Sequence, residues 1–135
     1  MTLVAGTNIS QTGGSLSTGG LLDTSSATGA VLNGGNQVGS FTATNSTSGN
    51  IELTNTATTL DVTGITQTTA GNIVVDNTGA LTTSGGITTA NNGTIGLTAS
   101  TNLTVGDVVT AAGTGTVDLT ASAGSLAIND AVSSG

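Results

Sequence analysis

GNIELTN at residues 49–55, GNIVVDN at 71–77, GTIGLTA at 93–99 and GTVDLTA at 115–121 are four copies of one phrase, G-[NT]-[IV]-x-[LV], at a constant step of 22 residues. In each copy two aliphatic residues stand two apart: Ile51/Leu53, Ile73/Val75, Ile95/Leu97 and Val117/Leu119. Alternation with a period of two puts them on one face of a short strand. Carried toward the amino terminus at the same step, the second position falls on Val31 and Ile9, and the first on Gly29 and Thr7. Six aliphatics in the column Ile9, Val31, Leu53, Val75, Leu97 and Leu119 is, by simple counting, about a one in 400 coincidence. The chain is therefore read as an internal repeat.

A unit of this length cannot bury its own apolar side chains, so successive units must stack, each strand pairing in parallel with its copy one turn on. Two further inward sides are expected. One holds Leu16, Val38, Leu60/Val62, Leu81/Thr83, Leu103/Val105 and Leu126/Ile128, and the other Leu21, Ala43, Ile65, Ile87, Val109 and Ala131. Leu81 and Leu103 arrive one residue early and Ile87 and Val109 return to the common step, so one corner shortens while the next lengthens. The predicted fold is all-β: a parallel β-helix, or solenoid, with three short strands per coil and about six coils of 22 residues in one domain, residues 1–135. The repeats are placed at approximately 5–26, 27–48, 49–70, 71–92, 93–114 and 115–135.

The expected internal ladder is Ile51, Leu53, Leu60, Ile65, Ile73, Val75, Ile87, Ile95, Leu97, Leu103, Val109, Val117, Leu119 and Leu126. At roughly 4.8 Å per strand, six coils would rise about 29 Å. Gly34, Gly35, Asn55, Asn77, Gly79, Gly85 and Gly86 are expected at corners, where they would supply left-handed or otherwise unusual backbone angles. Both ends of such a stack would expose unpaired strand edges. Self-association through those ends, or continuation into neighbouring repeats of a longer parent, is the expected partnership.

Composition narrows the function. Among 135 residues there is no Lys, Arg, His, Cys, Pro, Trp or Tyr, and the formal charge is −7. Nucleic acid and anionic membrane surfaces are not expected partners, because binding either relies on basic side chains. No apolar run is long enough to insert in a membrane, and MTLVAG at the start lacks the basic and apolar regions of a signal peptide. For an exported protein, the signal would lie outside this sequence. Mean hydropathy of +0.27 and a regular aliphatic pattern argue against disorder.

Catalysis is not expected, since the usual general bases and activated nucleophiles are missing and only carboxylates and hydroxyls remain. The seven acids are Asp23, Glu52, Asp61, Asp76, Asp107, Asp118 and Asp130. Glu52 and Asp118 fall in one outward column but three turns apart, about 14 Å, too far for a carboxylate pair. The acids are read as solvated groups that keep the rod soluble. The calcium-binding nonapeptide G-G-x-G-x-D does not occur, and no metal or cofactor is expected. Four N-x-[ST] sequons, at Asn8, Asn45, Asn92 and Asn102, match what so many Asn, Ser and Thr give by composition.

Threonine supplies the alternative reading. The pairs Thr42/Thr44, Thr54/Thr56 and Thr66/Thr68, with the column Thr44, Thr66, Thr88 and Thr110, resemble the Thr arrays of ice-binding solenoids. Thr also pairs well with itself across strands, which accounts for a Thr-rich exterior without any ligand. Ala90 and Ala112 interrupt the second row.

GNIELT at 49–54, GTVDLTA at 115–121 and NQVGSFTATN at 36–45 make nearly the whole chain, from about residue 5, similar to the shaft repeats of filamentous-haemagglutinin-like adhesins. That resemblance implies a right-handed coil, the hand that parallel crossovers also favour. It further implies a non-catalytic shaft at a bacterial surface, exported by a two-partner or autotransporter route, with a host-surface receptor of unspecified kind. No counterpart of the family's amino-terminal secretion domain or of a receptor-binding module is present, so this stretch corresponds to shaft. A short self-assembling fibre subunit or a designed fragment would share the same fold.

Overall fold

The computed structural model describes all 135 residues and has fifteen strands and no helix, the strands paired entirely in parallel. The backbone winds as a β-solenoid with three sides. The first side stacks β2 (Ile9–Ser10), the start of β4 (Ala30–Asn45), β5 (Ile51–Asn55), β7 (Ile73–Asn77), β10 (Ile95–Ala99) and β13 (Val117–Ala121). The second stacks the start of β3 (Ser17–Ser26), the middle of β4, the start of β6 (Thr59–Gln67), β8 (Ala80–Thr83), β11 (Leu103–Val105) and β14 (Leu126–Ile128). The third stacks β1 (Thr2–Val4), the ends of β3, β4 and β6, then β9 (Ile87–Thr89), β12 (Val109–Ala111) and β15 (Val132–Ser134). The first two sides have six rungs and the third has seven.

Within each strand burial alternates, so that Ile51, Leu53 and Asn55 point in while Glu52 and Thr54 point out. One contiguous core results, in which the inward residues of successive turns stand in register. Each such side chain contributes about 1.5–3 kcal/mol of burial before its ordering entropy is subtracted.

On the first side the uniform step of 22 holds only from Leu53 onward. Leu32, not Val31, pairs with Leu53; Val31 faces outward opposite Glu52. Ile9 pairs with Ala30 and so belongs to the column of Ile51. On the third side, Thr24 and Val132 hold the places expected of Leu21 and Ala131. Leu21 is 42% exposed and Ala131 is exposed too.

Corners of changing length cause these slips: the second-to-third corner displaces Val31, a short third-to-first corner from Ser26 to Ala30 adds to the offset of Leu21, and a longer first-to-second corner from Ala121 to Leu126 displaces Ala131. Between the inward residues of the second and third sides stands one residue in the early turns, Asp23 and then Thr42. Two residues, Thr63 and Gly64, stand there in the next turn, and three, Ser84 to Gly86, in the one after. With a one-residue corner the extended backbone passes from side to side unbroken, so β4 is 16 residues long and visits all three sides. Three short strands per coil appear only after β6, when the corner is long enough to interrupt pairing.

Of the seven residues expected to take unusual corner angles, only Gly79 has a positive φ. Asn55 and Asn77 are instead strand residues that point inward. The left-handed corner falls on Asn91 and Asn92, with φ of 52° and 68°, a region Asn tolerates better than most residues.

Candidate functional site

Three features of the prism could carry function: its interior, its outer columns and its two ends. In the interior, the expected ladder residues Ile51, Leu53, Leu60, Ile65, Ile73, Val75, Ile87, Ile95, Leu97, Leu103 and Val109 are buried. Val117 and Leu119 are half-buried, and Leu126 is 43% exposed, because each sits in the last turn with a neighbour on one side only. Sequence reasoning did not single out Phe41, Leu22 or Leu32, which are among the largest fully buried side chains. Phe41 stacks between Leu22 and Val62.

Two buried polar ladders were also missed. Asn36, Asn55 and Asn77 occupy one inward column, continued by Ala99 and Ala121. Asn55 Nδ2 donates to Asn77 Oδ1 at 3.0 Å and to the Val38 carbonyl at 3.1 Å, while Asn55 Oδ1 accepts from the Val38 amide at 2.8 Å. Asn77 Nδ2 donates to the carbonyls of Ala57 and Ala80, and Asn77 Oδ1 accepts from the Ala57 amide. At the opposite corner Asn45 Nδ2 donates to Gln67 Oε1 at 3.0 Å and to the carbonyls of Ser48 and Gly49. No buried side-chain polar atom lacks a partner. These amides close the corners by giving turn carbonyls and amides the partners that buried backbone requires. A signal was available, since Asn55/Asn77 and Asn45/Gln67 each recur at a step of 22.

On the outside, Glu52, Val74, Gly96 and Asp118 form one outward column in that order. The two carboxylates are thus separated by two rungs that carry no charge. Glu52 is held by Asn33 Nδ2 at 2.8 Å and Asn50 Nδ2 at 2.9 Å, and Asp61 accepts from Ser84 Oγ at 2.9 Å. No group of three potential metal ligands forms. Thr44, Thr66, Thr88 and Thr110 stack in register along the third side, and Ser133 extends them with Oγ donating to Thr110 Oγ1 at 3.1 Å. The file is single: Thr42 is followed by Gly64 on one flank, and Ser46 and Thr68 give way to Ala90 and Ala112 on the other.

The ends differ in relief. At the amino-terminal end a hollow of about 340 Å3 opens between Leu3, Ile9, Leu16 and Leu32, rimmed by the Thr12 to Ser15 loop. Gln11 stands beside it, its amide exchanging bonds of 2.9 and 3.0 Å with Asn36. At the other end Leu126 and Ile128, 43% and 54% exposed, stand free on the last rung. No helix is long and apolar enough to cross a membrane.

The chain matches no protein-family model, no curated protein and no solved structure.

Proposed function

We propose that this chain is a non-catalytic structural shaft, a rigid spacer whose turns stack end to end in a bacterial extracellular, adhesin-like protein. The observation that carries this reading is the continuity of the inward columns: parallel pairing and one apolar core run from the first turn to the last with no inserted domain. A prism of that kind transmits position along its axis. Its sides offer scattered, separately solvated carboxylates rather than a concave site with converging polar groups. The adhesin setting and bacterial-surface location rest on the resemblance of residues 36–45, 49–54 and 115–121 to shaft repeats.

Electron microscopy and small-angle scattering of the purified chain test the proposal. The expected particle is a straight rod, either alone or joined along its axis into fibres one coil wide. Assemblies that branch, clump or bend between segments contradict it.

One observation favours a second reading, binding to ice. Thr44, Thr66, Thr88 and Thr110 present methyl and hydroxyl groups at the regular strand spacing along the third side. Thermal hysteresis in the parent chain, lost in a Thr66→Lys/Thr88→Lys variant, would move the assignment to that reading. A parent without hysteresis removes it.

A further inference from the structure

We infer that Asn92–Gly93 is a site of spontaneous deamidation in the wall of the solenoid, promoted by the Thr114 amide of the next turn, and that the same dipeptide at Asn33–Gly34 is protected. Of the twelve asparagines only these two precede glycine. Glycine lets the following amide nitrogen close on the side chain, because no Cβ stands in the way. In the reaction the Gly93 nitrogen gives up its proton and bonds to Asn92 Cγ, the Cγ–Nδ2 bond breaks, and ammonia leaves a five-membered succinimide. Water then opens the ring at one of its two carbonyls. Opening at Cγ gives aspartate, and opening at the main-chain carbon gives isoaspartate, whose backbone runs through the β-carbon. Water is the only co-reactant, and nothing is oxidised or reduced.

Both asparagines are exposed, so their bonding separates them rather than their access to water. Asn92 lies in the turn between β9 and β10 with φ of 68°, a region that carries strain for a non-glycine residue. Its Oδ1 accepts the Thr114 amide at 2.8 Å. A donor there draws electrons from Cγ and stabilises the oxyanion that forms when the side-chain carbonyl is attacked. Gly113 permits this approach, since a Cβ in its place would overlap Asn92 Oδ1. The bond to Thr114 is the one hydrogen bond the Asn92 side chain makes, so Nδ2 is free to leave. The peptide joining Asn92 to Gly93 is loosely held too: its carbonyl accepts no backbone bond, and its N–H reaches the Ala90 carbonyl at 3.3 Å. Asn33 differs at each point. It lies in extended β4, its Nδ2 donates to Glu52 Oε2 at 2.8 Å, and the Gly34 amide donates to Gln11 Oε1 at 2.9 Å. Leaving group and nucleophile are both engaged. Aspartate at position 92 would keep the oxygen that Thr114 bonds and add one negative charge. Isoaspartate would lengthen the main chain within a turn that stacks on Gly113, and so loosen that corner against the next one.

The test holds the chain at mildly alkaline pH, folded and, separately, in concentrated urea. Peptic peptides are scored over time for acid at positions 33 and 92 by mass spectrometry, with isoaspartyl forms separated by chromatography. In the folded chain Asn92 is expected to convert about tenfold faster than Asn33, the factor for one hydrogen bond to a carboxylate that Asn33 must break. In urea the two rates should come together. Thr114→Pro, which removes the donating N–H, should slow Asn92 several-fold in the folded chain and leave Asn33 as it was. Glu52→Ala, on the outward face of β5, should speed Asn33 alone, and serves as the test if the proline variant does not fold. Equal rates at the two sites in the folded chain, or an Asn92 that reacts only in urea, overturn the inference. So does an unchanged Asn92 rate in a Thr114→Pro chain shown folded by circular dichroism, or an unchanged Asn33 rate in Glu52→Ala.

Discussion

The turns before Gln67 and the turns after Ile73 solve the same packing problem with different chemistry. In the early turns, strands of 10, 16 and 9 residues run around corners, and the corners are filled from inside by Asn36, Asn45, Asn55 and Gln67. In the late turns no strand exceeds 5 residues, the corner between the second and third sides has three residues, and the inward corner positions shrink to Thr89, Ala99 and Ala111. Asn77 marks the change, as the last amide in a column that goes on with Ala99 and Ala121. The amides serve the other two corners, where Asn55 and Asn77 bond backbone groups of Val38, Ala57 and Ala80, and Asn45 and Gln67 those of Ser48, Gly49 and Ala70. A three-residue corner can bond more directly to the turn beside it, as the Gly106 amide does to the Thr83 carbonyl at 3.0 Å. Long strands and inward amides thus share the early turns but occupy different corners.

The largest effect expected is from a charge in the regular half. Val75→Asp buries a carboxylate among Leu53, Leu97 and the rest of the core, with no basic residue anywhere in the chain to pair with it. A loss of about 4 kcal/mol or more in urea unfolding is expected, with hydrogen exchange rising first in β5, β7 and β10. Wild-type stability would remove Val75 from the interior.

Next come the glycines that stack in the column Gly49, Gly71, Gly93. Gly71 has φ of 147°, and a Cβ there would overlap the carbonyl of Gly49 one turn below. Gly71→Ala should cost about 2–4 kcal/mol, combining backbone strain with a steric clash. Gly86→Ala is the control, because its Cβ would meet nothing closer than the Val108 carbonyl oxygen at 3.8 Å, and should change the urea midpoint little.

A smaller effect separates the two kinds of corner. Asn77→Ala would strip partners from the Ala57 amide, the Ala57 and Ala80 carbonyls and Asn55 Nδ2. The expected cost is about 2–3 kcal/mol. The double variant Asn55→Ala/Asn77→Ala should cost less than the sum of the two single changes, since the residues share a bond. Additive losses would show that the amides act separately and that the ladder is no unit.

The smallest is expected on the outer Thr file. Thr66→Lys/Thr88→Lys should shift stability by no more than about 0.5 kcal/mol, because both side chains face away from the core. A larger loss in the melting profile would mean that the file contributes structurally.

What the sequence made legible follows the same division. From Gly49 onward the first side keeps its step, so the alternation of Ile73/Val75 and Ile95/Leu97 translates directly into strands, register and core. Before Gly49 the corner is one residue shorter than in the following turn and the sequence slips against the structure. Val31 then stands where the column expects a core residue and Leu32 fills that place. Part of the six-member aliphatic column was thus coincidence, with two of its members belonging elsewhere. Phe41 was hidden because its column reads Leu22, Phe41, Val62, Thr83, Val105, Ile128, whose steps of 19, 21, 21, 22 and 23 have no fixed period. Asn55 and Asn77 were read as corner residues because Asn is a turn former, whereas an inward amide obeys the strand alternation that places the neighbouring aliphatics.

Methyl–methyl nuclear Overhauser effects on selectively labelled protein test the stacking most directly. The account requires cross-peaks linking Leu32 to Leu53, Leu53 to Val75, Val75 to Leu97 and Leu97 to Leu119, with Val31 outside the set. A Val31 to Leu53 cross-peak in place of Leu32 to Leu53 would contradict the shifted register, and absence of the whole series would contradict the solenoid.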